Sequence, residues 1–358
     1  MTDGAGRHMA VRAAPGRPYA DPPVSRMDDY DYPLAEGAIA QTPIEPRDAA
    51  RLLVAVEAGA PVRHRHVRDL PDLLEPGDLL VVNDTRVLPA RLRLTKRTGG
   101  AAEVLLLEPC GAATGEWQAL VRPGRRLAPG TILLGPGGEP MVEVGEDTGE
   151  GTRKVRLLAE PWGAGEVPLP PYLHGGLADP ERYQTVYAAR AASVAAPTAG
   201  LHLTRALLDE CRARSIGFAS VDLAVGLDTF RPVTVTDPAD HRMHSEAYRV
   251  PAETWAACLR TRAGGGRVVA VGTTTVRALE SAAATGALEG RTALYIRRPY
   301  AFAVVDVLLT NFHLPRSSLL LLVEAFAGPR WRELYSAALD EGYRFLSFGD
   351  AMLVGRAA

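Results

Sequence analysis

Between Pro89 and Leu158 the chain breaks into six short stretches in which apolar and polar residues alternate: Arg91–Thr95, Glu103–Leu107, Trp117–Val121, Thr131–Leu134, Met141–Val144 and Lys154–Leu158. A period of two is that of a strand with one buried face. The breaks between them are turn sequences such as Thr98-Gly99-Gly100 and Gly135-Pro136-Gly137-Gly138. Strands this short and this closely spaced predict a small antiparallel barrel or sandwich. Such a unit accounts for residues 89–158 and leaves the flanks to a different architecture.

The flanks follow another grammar. Beyond residue 190 a short strand, a polar loop and a helix recur in that order. Ser193–Ala196 leads into Pro197-Thr198-Ala199-Gly200 and a helix from Leu203 to about Arg214, and Phe218–Val225 is again a strand. Val268–Val271 leads into Gly272-Thr273-Thr274-Thr275 and a helix over Val276–Ala284. Val304–Leu309 leads into Thr310-Asn311-Phe312-His313-Leu314-Pro315 and a helix beginning near Ser317. Before the alternating region, Leu79–Val82 runs into Asn83-Asp84-Thr85-Arg86. Repeated βαβ units predict parallel strands with right-handed crossovers. The expected fold is therefore α/β: a mainly parallel sheet flanked by helices (28–88 and 159–358) with a small antiparallel β-barrel inserted at 89–158. Residues 1–27, rich in Gly, Pro and Arg, read as a disordered tail, with Met9 and Met27 as alternative starts.

Composition excludes several classes. The longest apolar runs, such as Leu319–Val323, fall far short of the ~18 residues a membrane span requires. Residues 1–27 lack the apolar stretch of a secretory signal. The three cysteines, Cys110, Cys211 and Cys258, lie far apart with no CxxC, so neither a disulfide framework nor a zinc knuckle is expected. A cytoplasmic protein without membrane contact follows. Of 40 basic residues only Lys96 and Lys154 are lysine. Arginine suits phosphate recognition, but the abundance of Ala, Gly and Pro points to GC-rich coding as the source of the bias. Residues 86–157 carry eleven Lys/Arg against eight Asp/Glu, while the whole chain has a net charge of -2.

In an open parallel sheet, ligands bind beyond the carboxyl ends of the strands. Those ends here carry Asn83-Asp84-Thr85-Arg86, Thr198-Ala199-Gly200-Leu201-His202, Gly226-Leu227-Asp228-Thr229, Gly272-Thr273-Thr274 and Asn311-Phe312-His313. Turn chemistry and helix capping explain any one of these loops; five on one edge point to a site. Gly272-Thr273-Thr274 before a helix offers free backbone N–H groups to an anion. Neither GxxxxGK[ST] nor GxGxxG follows a strand, which argues against nucleoside triphosphate and nicotinamide cofactors. His202 and His313, each in a strand-end loop, are candidates for a general acid or base, and no Ser-His-Asp order or GxSxG elbow accompanies them. Arg277 and Glu280 sit at i, i+3 and are expected to pair on the helix surface. His241-Arg242-Met243-His244-Ser245-Glu246 spaces His-x-x-His-x-Glu, yet without HExxH or a placed third ligand it reads as a polar binding segment, and no metal is expected.

These loops resemble one family. Ile39-Ala40-Gln41-Thr42-Pro43 through Leu53, Pro76-Gly77-Asp78 through Arg91, Tyr183–Tyr187, Ser193–His202, Met243–Glu246, Ala270–Thr274, Thr310–Pro315, Ala325–Gly328 and Gly349–Met352 are similar to the S-adenosylmethionine:tRNA ribosyltransferase-isomerases of queuosine biosynthesis. The resemblance covers about residues 28–353. It implies an α/β domain with an inserted barrel. It implies an enzyme that moves and isomerises the ribosyl part of S-adenosylmethionine, as co-substrate and without metal, onto 7-aminomethyl-7-deazaguanine in the tRNA anticodon stem-loop. The products are epoxyqueuosine-tRNA, adenine and methionine. The sulfonium acidifies the ribose 5′ carbon, so a base must take a proton there. His202, Glu280 and His313 are the catalytic candidates. Substrate binding falls to Asn83, Asp84, Thr85, Arg86, Thr198, Gly200, Asp228, Thr229, His244, Glu246, Gly272, Thr273, Thr274, Arg277 and Asn311. RNA phosphates are expected at Arg122, Arg125 and Arg126 in the barrel. No oligomeric state is implied.

Three positions depart from the family pattern. Ala224 stands where a histidine is usual and Asp228 where a glycine is usual, within Ala224–Phe230, and Arg298-Pro299-Tyr300 replaces Pro-Gly before an aromatic residue. Two other readings stay open beside the first: the same donor used on a small acceptor that is not tRNA, and a non-catalytic RNA-binding module.

Overall fold

All five residues of Leu79–Asn83 are buried, because this strand lies in the middle of the main sheet with neighbours and helices on every side. The computed structural model describes residues 26–110, 115–149, 151–226 and 233–357. The chain enters through β1 (Arg51–Ala55), β2 (Arg63–His66), β3 (Leu79–Asn83) and β4 (Thr85–Val87). It then forms β5 (Arg91–Lys96), β6 (Ala101–Pro109), β7 (Glu116–Arg122), β8 (Ile132–Leu134), β9 (Pro140–Gly149), β10 (Thr152–Leu157) and β11 (Gly165–Glu166). It returns through β12 (Arg190–Ser193), β13 (Gly217–Leu223), β14 (Glu246–Arg249), β15 (Val268–Val271), β16 (Glu289–Thr292), β17 (Val307–Asn311) and β18 (Ala351–Gly355).

The six alternating stretches all become strands of one antiparallel sheet, ordered β11-β5-β6-β7-β10-β9-β8. The β5–β8 pairing closes it into a barrel. Its burial follows the alternation: in β5 Leu92 and Leu94 point inward while Arg93 and Thr95 are exposed. β11 joins the barrel by pairing with β5, beyond the expected boundary at residue 158.

The large sheet has nine strands in the order β16-β14-β13-β3-β15-β17-β18-β1-β2. The central β13, β3, β15 and β17 are mutually parallel. Outward from them, β14, β16, β18 and β2 introduce antiparallel pairings, while β1 runs parallel to β18. The expected mainly parallel sheet is thus mixed, with parallel strands at its centre and antiparallel pairings toward both edges. Consecutive residues of β3 serve different cores. Leu79 and Val81 face the layer that contains α4 (Thr273–Thr285), α5 (Ser318–Ala327) and α6 (Trp331–Asp340). Leu80 and Val82 face Leu207 and Leu208 of α2 (Arg205–Ala213) and Leu70 of α1 (Leu70–Leu73). α3 (Ala252–Ala263) completes the first layer through Cys258. β2 is an edge strand, and all four of its residues are exposed. The apolar body already takes in Met27, which is fully buried; residues 1–25 of the expected tail lie outside the described residues.

Two local expectations are corrected. The strand expected at Ser193–Ala196 is β12, Arg190–Ser193, and it pairs in parallel with β4 in a separate two-stranded sheet. It therefore forms no βαβ unit with β13. Val194, Ala195 and Ala196 are buried by packing, not by a ladder, and a short apolar run does not reveal which. The helix expected from Val276 begins at Thr273. Gly272 makes the turn, and the Thr275 hydroxyl donates to the Val271 carbonyl at 2.7 Å. The other two expected helices begin where capping chemistry directs: Thr204 and Ser317 accept N–H bonds from the first turns of α2 and α5.

Candidate active site

The carboxyl ends of β15 and β17, with the loop after β12, enclose a narrow recess of about 50 Å³. Its first wall follows from a backbone constraint. Gly272 has φ +88°, a conformation that glycine adopts without the penalty a Cβ brings. The turn starts α4 directly at Thr273, and no side chain caps it. The opening N–H groups of a helix have no partners within the helix, and its dipole is positive there. Thr273 and Thr274 line the recess, so this wall favours an anionic group.

The second wall is a chain of hydrogen bonds. Thr198 donates to Oδ1 of Asn311 at 2.9 Å, and the Asn311 amide donates to the Leu346 carbonyl at 3.0 Å. Nε2 of His313 lies 3.0 Å from the Thr310 hydroxyl, and its backbone N–H donates to the Tyr335 hydroxyl at 3.0 Å. Burial drives the His313 imidazole down to about 3, so it is neutral at pH 7. Tyr172 and Ser347 share a 2.7 Å hydroxyl contact on the far side. Phe312, Leu314 and Leu319 add apolar lining. The arrangement presents an anion-holding helix terminus, a fixed amide, hydroxyls and one neutral imidazole within a largely apolar slot.

Of the residues singled out from the sequence, Thr198, Gly272, Thr273, Thr274, Asn311 and His313 line this recess. Others stand behind it. Asn83 is buried in β3; its amide donates to Thr274 Oγ1 at 3.2 Å and to the Leu223 carbonyl at 3.0 Å, while its Oδ1 accepts from Thr85 and Leu223. It thereby ties three strand ends together and orients Thr274. Gly200 allows close approach: a Cβ there would lie 2.0 Å from the Tyr187 hydroxyl. His202 is buried with its two ring nitrogens 3.0 and 2.8 Å from the carbonyls of Ala199 and Gly349. Burial also lowers its pKa. It braces two loops against each other.

The expected surface pair of Arg277 and Glu280 does not form. Both are buried. Arg277 instead pairs with Glu246, and its Nε donates to the Leu294 carbonyl at 3.1 Å. The other Glu246 oxygen accepts the Gly226 N–H at 3.0 Å. Glu280 accepts the N–H groups of Ala303, Val304 and Val305 at 2.8, 3.0 and 3.1 Å. Burial changed the pairing: each charge took the partners its own pocket supplied. Asp84 turns away from the recess toward Ser220, with its carboxyl held up by burial and, to a lesser degree, by nearby Asp222. Thr85 is buried, and the half-buried Arg86 pairs with Glu181. His244 is exposed, and His241 packs on the Tyr295 ring at 5.3 Å. Among the described residues no three His, Cys, Asp or Glu side chains gather to hold a metal ion, and no helix is long and apolar enough to cross a membrane.

Asp228 and Thr229 lie outside the described residues. In the barrel, Arg122 ends β7, and Arg126 is exposed on the adjacent turn. Arg153 braces that turn by donating to the carbonyls of Gly124 and Leu127; the side chain of Arg125 lies outside the description. Sequence reasoning missed Tyr172, Leu346 and Ser347, which come from segments without strand–loop–helix grammar and carry no motif of their own.

The fold and the recess together define an α/β protein with an inserted barrel and a recess at the carboxyl edge of its sheet. The profile of the family described as "Queuosine biosynthesis protein" matches residues 27–354. The S-adenosylmethionine:tRNA ribosyltransferase-isomerase of Synechococcus elongatus is 50% identical over 345 residues, 92% of this chain and 95% of that one. The protein of the same name from Thermus thermophilus is 50% identical over 347 residues, 92% and 99% of the two chains. The crystal structure of an S-adenosylmethionine tRNA ribosyltransferase from Thermotoga maritima superposes with a TM-score of 0.54 at 38% identity, covering 91% of this chain and 99% of that one. This chain belongs to the queuosine biosynthesis protein family.

Proposed function

We propose that the protein is an S-adenosylmethionine:tRNA ribosyltransferase-isomerase. It transfers the ribosyl part of S-adenosylmethionine to 7-aminomethyl-7-deazaguanine in a tRNA anticodon stem-loop and rearranges it to epoxyqueuosine, releasing methionine and adenine in the cytoplasm. The observation that carries this reading is the half-identity to proteins of that name along nine-tenths of the chain, joined to a recess of matching chemistry.

S-adenosylmethionine presents a carboxylate, a sulfonium and a purine. About 50 Å³ is far below the ~300 Å³ at which sites for drug-sized ligands begin, so the recess grips one end of such a donor. The opening N–H groups of α4 at Thr273 and Thr274 suit the carboxylate. Asn311 and Thr198, already held by each other and by the Leu346 carbonyl, suit the hydroxyls of a ribose. The sulfonium acidifies the 5′ carbon, and His313 is the group we assign to the proton released there. Of the three catalytic candidates it alone lines the recess, where its Nε2 lies 3.0 Å from the Thr310 hydroxyl. Arg122, Arg125 and Arg126 are assigned to RNA phosphates.

The test is direct. Purified protein is incubated with S-adenosylmethionine and tRNA bearing 7-aminomethyl-7-deazaguanine, and the nucleosides are analysed by mass. Epoxyqueuosine and free adenine in equal amounts, undiminished by chelator, are the expected result. Adenine release with unaltered tRNA would transfer the reading to a small acceptor. Binding of RNA without any turnover would reduce the protein to a binding module.

A further inference from the structure

The recess takes its imidazole from a residue that the sheet does not hold. β17 ends at Asn311, so His313 has no strand partner for its backbone N–H and C=O. The residue is buried, and buried peptide groups need partners. Two tyrosine hydroxyls supply them. The N–H donates to Tyr335 of α6 at 3.0 Å, and the C=O accepts the hydroxyl of Tyr32. The peptide groups on both sides of the Cα are thereby tied, and the side chain has a further tie from Nε2 to the Thr310 hydroxyl at 3.0 Å.

The two tyrosines lie far apart in sequence and meet in space. Tyr32 sits in the extended stretch between the short turns Met27–Tyr30 and Glu36–Ala38, and Tyr335 is in the middle of α6. Their rings meet edge to face at 5.2 Å. Tyr335 also meets Phe312 edge-on at 5.4 Å, and Phe345 lies 4.8 Å from Phe312 and 6.1 Å from Tyr32. Aromatic pairs of this kind have preferred geometries, so the rings fix one another's angles. The stretch that carries Tyr32 is anchored on either side of it. The Arg316 N–H donates to the Tyr30 carbonyl at 3.0 Å, and the Phe345 N–H donates to the Ala38 carbonyl at 2.8 Å. Phe345 leads into Leu346 and Ser347, which line the recess together with His313.

Neither Tyr32 nor Tyr335 lines the recess. A substrate there meets His313, and the tyrosines reach it only through the His313 backbone. Burial raises both phenols above their ordinary value, so the hydroxyls stay protonated and keep these bonds across the neutral range. A misplacement of about 1 Å at a reacting group can cost on the order of 10²-fold in rate. An imidazole on a loop has no ladder to prevent that and depends on the groups packed behind it.

We propose that Tyr32 and Tyr335 are positioning residues that clamp the His313 backbone from both sides and so hold its imidazole at the wall of the recess. The proposal rests on the reading of His313 as the group that acts on the donor, and it deepens that reading by naming what fixes the group in place.

The experiment is a double-mutant cycle on the full chain. Tyr32→Phe and Tyr335→Phe each remove one hydroxyl and keep the ring. Both are made in the parent and in His313→Ala, which loses the imidazole but keeps the backbone groups that the tyrosines hold. Adenine release from S-adenosylmethionine with tRNA bearing 7-aminomethyl-7-deazaguanine gives kcat and KM, and calorimetry gives donor affinity. In the parent, each tyrosine substitution should lower kcat by about tenfold while KM and donor affinity stay within about twofold. The retained donor affinity also shows that the variants are folded. In His313→Ala the same substitutions should change kcat by no more than about twofold. A purely structural role would lower kcat alike in both backgrounds, and that result overturns the proposal. So do unchanged kcat in both tyrosine variants and a loss of donor affinity in proportion to kcat. His313→Ala with the parent's kcat, or a parent that releases no adenine, rejects the reading of His313 and the proposal with it. An impaired His313→Ala beside unimpaired tyrosine variants rejects the clamp alone.

Discussion

β3 of the large sheet and β5 of the barrel are nearly equal in length and opposite in design. Every residue of Leu79–Asn83 is buried, whereas Arg91–Lys96 alternates between buried leucine and exposed polar residues. A strand buried on both faces has no room for polar side chains along its length. Its polar residues collect where it ends, and Asn83 is the example: it is polar, fully buried and bonded to Leu223 at the end of β13, Thr85 at the start of β4 and Thr274 in the first turn of α4. A barrel strand distributes its polar residues along one whole face. The first design concentrates chemistry at an edge; the second spreads charge over a surface that many weak contacts can use.

Substitutions at matched positions should expose that difference. Leu80→Ala, in the doubly covered strand, should cost about 2–5 kcal/mol in urea unfolding. Arg93→Ala, on the open barrel face in an exposed pair with Glu166, should cost about 1 kcal/mol or less. Similar losses at the two positions would erase the distinction.

An intermediate effect is expected with pH. The His313 imidazole is depressed to about 3 in the folded protein by burial, whereas its unfolded value is near the ordinary 6.5. The unfolded chain therefore takes up a proton first as the pH falls. The stability that neutral His313 contributes is complete above about 6.5 and is lost progressively toward about 3. His202, also lowered by burial, acts in the same direction. Thermal melts of the parent and His313→Gln should diverge at neutral pH and converge in acid. Parallel curves would mean that His313 is solvated.

The smallest effect belongs to the barrel. Arg125→Ala with Arg126→Ala should weaken tRNA binding and lower its log–log salt slope by about 1–2, while S-adenosylmethionine binding is unaffected. An unaltered salt slope would make the loop a solvated turn. A loss of donor binding would join the barrel to the recess and break the contrast between concentrated and distributed chemistry.

How far the sequence discloses the molecule divides along the same line. All six barrel strands are legible because alternation is a local property. The recess is largely legible as well, since Thr198, Gly272, Thr273, Thr274, Asn311 and His313 each follow a strand in sequence. The errors occur where burial is two-sided or pairing is distant. Val194-Ala195-Ala196 reads as a strand because an apolar run has no period. Arg277 and Glu280 read as a surface pair because spacing along a helix does not show which face is covered.

The open edge at β2 carries a consequence for how these molecules coexist at high concentration. A sheet edge exposes unpaired N–H and C=O groups that can template another chain. Here the edge reads Arg63-His64-Arg65-His66, an exposed strand. A second copy docking edge to edge would set two arginines against two arginines. Like charges facing across a new ladder repel. Growth of the sheet into a filament is thereby opposed at its first step.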